Sequence, residues 1–192
     1  MKIVTVSGYK AHELGIFDQN HIAITYIKKA LENRLRALCE NGLEWVLISG
    51  QLGVELWAAE VVYTLKSEFS ELKIAILTPY LQQESHWKEE TQQYYQSITE
   101  RADFIDSISK RPYEHPKQLM QKNQFLLQKS DGLLLFYDEE NQGSPRYMFE
   151  IAKKMEYNRE IELLLITAYD INEIIHEEQM LTAMDHENID EN

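Results

Sequence analysis

Turns that can hold an anion follow several of the apolar runs in this chain. Ser7-Gly8-Tyr9 follows residues 2–6, Ser49-Gly50-Gln51-Leu52-Gly53 follows residues 44–48, and residues 138–146 follow residues 132–137. The second turn is the most specific, because it leads from an apolar strand straight into a helix. Backbone amides at a helix start would face Gly50 and Gly53, where the missing side chains leave room for a phosphate. Glu55 falls in the first turn of that helix, where it either complements the helix dipole or accepts hydrogen bonds from a ribose. Trp57 is either core or a flat wall for a base.

The third segment reads G-S-P-R-Y-M-F-E from Gly143 to Glu150. Ser144 is a candidate N-cap and Pro145 suits the first helical position. Arg146 runs against the dipole preference for anions in a first turn, so its presence asks for another partner, such as a phosphate. Glu150 faces the same pocket or pairs with Lys153 or Lys154. Lys122 and Asn123 belong to the pocket or to a solvated helix face. Ser7 and Gly8 touch a ligand or simply make a tight turn. There is no G-x-x-x-x-G-K-[ST] phosphate loop, no full G-x-G-x-x-G fingerprint and no G-x-S-x-G nucleophile elbow, which weakens an ordinary ATPase, dehydrogenase or hydrolase reading.

The elements that would position these turns alternate. Strand patterns at 2–6, 44–48, 73–77, 104–108, 132–137 and 161–166 are separated by helical patterns at 20–40, 54–66, 86–101, 116–129 and from the loop 138–143 to about Tyr157. Ile24, Ile27, Leu31, Leu35 and Leu38 recur at three- and four-residue steps, and Asn41-Gly42 gives a helix stop. Leu133 to Tyr137 is continuously apolar, as a strand covered on both faces must be. Alternation of this kind predicts an α/β, three-layer Rossmann-like fold: a mainly parallel central sheet of about six strands with helices on both faces. Residues 1–168 are expected to form a single domain, followed over 169–192 by a short helix and an acidic, frayed tail. In such a sheet ligands bind beyond the carboxyl ends of the strands, so the three turns converge on one pocket.

A net charge of -13 opposes a surface built for duplex DNA or an anionic membrane. No nucleic acid and no membrane partner are expected, and residues 1–6 enter directly into a strand pattern instead of a signal peptide. Cys39 is the only cysteine, which excludes an intrachain disulfide and points to a cytoplasmic location. The six histidines lack the spacing of a zinc helix, and no metal is expected. A homo-oligomer is compatible with the sequence.

S-G-Y-K at Ser7 to Lys10, S-G-Q-L-G-V-E-L-W-A-A-E at Ser49 to Glu60, and G-S-P-R-Y-M-F-E at Gly143 to Glu150 resemble the YpsA family, a group of uncharacterised function within the SLOG superfamily of Rossmann-like domains. The resemblance runs from Met1 to about Thr167. It implies a pocket for a nucleotide or an ADP-ribose-like molecule, no certain cofactor, and a regulatory role with a protein partner, connected to cell division in Gram-positive bacteria. Resemblance to the Lonely Guy phosphoribohydrolases implies an alternative, hydrolysis of an N-glycosidic bond with Glu150 and Lys122 as catalytic residues. There a lysine stands in for an arginine, keeping charge and losing the bidentate fork. The turn after the second strand is also similar to that of DNA-processing protein A. A third alternative is an interaction scaffold with a vestigial pocket. On the ligand-binding reading, Gly8, Gly50 and Gly53 admit phosphate, Glu55 holds ribose hydroxyls, Trp57 walls the base and Arg146 neutralises charge. Gly53→Ala or Glu55→Gln is then expected to abolish binding without unfolding the chain.

Overall fold

The computed structural model describes residues 1–156 and 161–190, the side chains of 156 and 184–190 excepted. Six parallel strands form one sheet: β1 (Ile3–Ser7), β2 (Trp45–Ile48), β3 (Lys73–Thr78), β4 (Phe104–Ser107), β5 (Gly132–Phe136) and β6 (Glu162–Ile166), in the spatial order β4-β3-β2-β1-β5-β6. The helices are α1 (Ile22–Glu40), α2 (Val54–Leu65), α3 (Glu89–Thr99), α4 (Lys117–Gln128), α5 (Arg146–Glu156) and α6 (Ala168–Asp190), with a 3₁₀ turn at Ala11–Leu14. α1 packs on α2 and α6, α2 on α3, and α4 on α5, which gives the three-layer α/β architecture expected for a Rossmann-like chain.

The core explains the order of the strands. β1 and β5 are buried along almost their whole length and lie side by side, Val4 opposite Gly132 and Ser7 opposite Leu135. Edge strand β4 leaves Phe104, Ile105 and Asp106 exposed, which is why its alternation is poor. α1 buries Ile24, Ile27, Leu31 and Leu35 as its periodicity requires, and stops at Asn41 with Gly42 at a φ of 87°. α6 runs for 23 residues, longer than the short helix expected there. It starts where Thr167 donates its amide and hydroxyl to Asp170 at 2.7 Å, and it is tied to α1 by Arg34–Asp170 and Lys29–Glu178 ion pairs. The helix end expected near Tyr157 and the last two residues of the tail lie outside the described residues. Among the described residues no helix is long and apolar enough to cross a membrane.

Strand order reverses between β1 and β5. The chain leaves β1 toward β2 on one side and β5 toward β6 on the other, so a crevice opens above their carboxyl ends. The turns after β1, β2, β3 and β5 meet there.

Candidate functional site

Glu55 organises the first half of this edge. It is 1% exposed, and its carboxylate is turned into the protein. Oε2 accepts from the Ser49 amide and hydroxyl, each at 2.7 Å, and from the Gln51 amide at 3.1 Å, while Oε1 accepts from the Ser7 hydroxyl at 2.8 Å. One acidic side chain thus fastens the ends of β1 and β2 to the start of α2. Most of its acceptor capacity is used within the chain, so its role is to shape the turn.

Tyr9 and Glu13 organise the second half. The Tyr9 hydroxyl accepts from the Asp138 amide at 2.8 Å and donates into the 138–141 loop, with close carbonyl contacts from Asp138 and Asn141. Its ring stands edge-on to Phe136 at 5.4 Å and occupies the space beside Gly143. Glu13 accepts from the Ser144 amide and hydroxyl at 2.7 Å and from the Lys10 amide at 2.8 Å. Burial raises the Glu13 carboxyl, but the hydrogen bonds from Ser144 and Lys10 outweigh it and hold the group below its ordinary value. A carboxyl depressed on folding adds stability above its unfolded pKa and loses it as pH falls through the folded one. Glu13→Gln is therefore expected to flatten the loss of stability below about pH 4, read from thermal unfolding across pH. An acid limb identical to that of the unmodified chain would exclude this contribution.

α4 supplies the inward polar groups. Gln118, Lys122 and Leu126 form one stripe at four-residue steps, and Leu119, Asn123 and Leu127 the next. Leu126 and Leu127 cover the sheet, whereas Lys122 and Asn123 sit one turn earlier, beside its carboxyl edge. Lys122 is 6% exposed and Asn123 9%. The Lys122 ammonium has no hydrogen bond or ion pair among the described residues, and the buried Asn123 Oδ1 is likewise without a hydrogen-bond partner. Burial lowers the Lys122 pKa from its ordinary value; the Glu55 carboxylate opposes that shift and Lys10 adds to it.

Two cavities adjoin Lys122. One of about 310 Å³ lies toward β3 and is lined by Ser49, Tyr80, Gln83 and Trp87. The other, about 160 Å³, lies over the switch point against Gly8, Asn123, Ser144 and Tyr147. Lys10, Gln51, Leu119 and Lys122 line both, so the two are arms of one groove. The Gln83 amide fixes the first arm by donating to the Ser49 carbonyl at 2.9 Å and to the Tyr95 hydroxyl at 3.2 Å. A cationic centre with flanking aromatic and polar walls suits a phosphate joined to a ring.

Comparison with known proteins gives this groove a family. The model of the YpsA family, described as the YspA SLOG family, matches residues 4–171. The chain belongs to the YpsA family. The UPF0398 protein of Halalkalibacterium halodurans is 55% identical to it over 189 residues, covering 98% of this chain and 100% of that one. The UPF0398 protein of Lysinibacillus sphaericus is 55% identical over 174 residues, 91% of this chain and 97% of the relative. That of Bacillus licheniformis is 52% identical over 177 residues, with 92% and 97% covered.

Within this YpsA-family chain, Ser7, Gly8, Ser49, Lys122, Asn123 and Ser144 line the groove. Gly50 packs beneath it against Gln83 and Tyr95. Gly53 is not an open approach for phosphate, because a β-carbon there would lie 2.6 Å from the Tyr9 carbonyl oxygen and the Ala11 amide nitrogen. The chain's own backbone fills that space, and the Val54 amide donates to Tyr9 at 3.2 Å. Tyr9 and Gly143 build the loop after β5. Trp57 is 5% exposed and borders a separate cavity of about 160 Å³ with Phe17, Ile24 and Tyr94. Arg146 and Glu150 line neither arm; they pair with each other, with side chains 40% and 53% exposed, and Arg146 also donates to Gln142 at 3.0 Å. These contacts give Arg146 a counter-charge on its own helix, while its buried Nε makes no hydrogen bond. Sequence reasoning missed Lys10, Gln51 and the wall Tyr80, Gln83 and Trp87, although Thr78-Pro79 already marked a strand end at the same edge.

Proposed function

We propose that this chain binds a nucleotide-derived ligand of the ADP-ribose kind, its phosphate held among Lys10, Lys122 and Asn123 and its base against Tyr80 and Trp87. Occupancy then governs contact with a regulatory protein partner. The observation that carries this reading is Lys122, buried on α4 beside the groove with no hydrogen bond or ion pair among the described residues. Two nearby lysines in a groove lined by no carboxylate among the described residues favour an anion between them, because a ligand's charge replaces their mutual repulsion. Family membership agrees with a nucleotide-related pocket and with a regulatory setting such as cell division. Hydrolysis of an N-glycosidic bond by Glu150 receives no support from its place on the surface.

The test is thermal unfolding against a panel of nucleoside phosphates, NAD and ADP-ribose. A ligand at about a hundred times its Kd stabilises the folded state by about 2.7 kcal/mol, a rise of roughly 5–10 °C for a chain of this size. Lys122→Ala is expected to weaken binding by about 1.5–3 kcal/mol, tenfold or more. No shift with any member of the panel would overturn the reading in favour of a scaffold.

A further inference from the structure

Lys122 is more than a cation beside a phosphate. The residue is 6% exposed yet lines a groove open to solvent, and no carboxylate among the described residues pairs with it. Glu55, the carboxylate whose charge it feels, spends its oxygens on Ser7, Ser49 and Gln51. Lys10 lines both arms of the same groove and adds a like charge. A desolvated lysine beside a second cation gives up its proton readily and becomes nucleophilic.

We infer that Lys122 captures the aldehyde of a phosphorylated aldose as a reversible imine, with the phosphate held by Lys10 in the same groove. Nζ attacks the aldehyde carbon and one N–H proton moves to its oxygen, giving a carbinolamine. The remaining N–H proton and the hydroxyl then leave as water, and the C=N bond forms. No oxidant or further reactant is needed. A free-aldehyde form is available to any reducing sugar phosphate, including the terminal ribose of ADP-ribose, so the inference rests on the proposed ligand class and narrows it to ligands with a reducing end.

The experiment traps the imine. The intact chain is incubated with ribose 5-phosphate or ADP-ribose at neutral pH, reduced with cyanoborohydride and mapped by peptide mass spectrometry, with thermal unfolding run on the same samples. Lys122 is expected to carry the adduct ahead of the exposed Lys88 and Lys117. Inorganic phosphate in excess should protect it. Lys122→Arg, which keeps a cation and cannot form an imine, should lose the adduct. Adducts spread over exposed lysines with Lys122 unmodified, while ADP-ribose still raises the melting temperature, would overturn the imine and leave the binding proposal standing. No thermal shift and no Lys122 adduct would overturn both.

Discussion

Gly53→Ala is expected to lose about 2–5 kcal/mol of stability, a fall of roughly 5–15 °C in melting temperature, together with the shape of the groove. Gly53 has a φ of 101° and a ψ of -131°, a region that side-chain-bearing residues rarely adopt. An added β-carbon would meet backbone on the far side, at 2.6 Å from Tyr9 and Ala11 and 2.9 Å from Lys10. None of the three is a flexible tip that can move aside, because the Tyr9–Ala11 backbone is anchored by the Tyr9 hydroxyl and by the Val54 amide. The substitution therefore pushes the turn after β1 away from α2 and displaces Lys10 from the groove. Chemical and thermal unfolding measure the effect. A variant as stable as its parent yet unable to bind would return Gly53 to direct ligand approach.

Glu55 separates by degree. Glu55→Ala leaves the buried amide of Ser49 and that of Gln51 without their acceptor and is expected to cost about 3–5 kcal/mol. Glu55→Gln is milder, about 1–2 kcal/mol, for a reason visible in the hydrogen bonds. A glutamine carbonyl placed at Oε2 still accepts from Ser49 and Gln51, and its amide placed at Oε1 donates to Ser7, whose hydroxyl can reverse its role. Paired unfolding curves for the two variants give the difference directly. Equal and small losses in both, with binding abolished in both, would mean that Glu55 contacts ligand and does not shape the turn.

The fold was legible because its signals are local. Continuous burial in β5, the three- and four-residue steps of α1 and the strand-turn-helix at Ser49 to Glu55 each follow from backbone geometry and patterning. The site was legible only in outline. Convergence of the turns followed from the parallel sheet, but the direction of each side chain depended on contacts far apart in sequence. Glu55 looked available for ribose until Ser7, 48 residues away, and Ser49 were seen to occupy it. Gly53 looked like room for phosphate until the Tyr9–Ala11 backbone filled the room. Lys122 and Asn123 were the reverse case: their stripe continues into Leu126 and Leu127, so the four-residue spacing already aimed them inward, and only their polarity suggested a solvated face. Arg146 found its counter-charge one turn along its own helix at Glu150, a local pairing that competes with any ligand.

Calorimetric titration of ADP-ribose into the unmodified chain, Lys122→Ala and Arg146→Ala tests the central claim most directly, because it asks which cation meets the ligand. Binding weakened at least about tenfold by Lys122→Ala and unchanged by Arg146→Ala is the expected result. Binding that survives the loss of Lys122 and falls with the loss of Arg146 would contradict the account and move the ligand to the surface of α5.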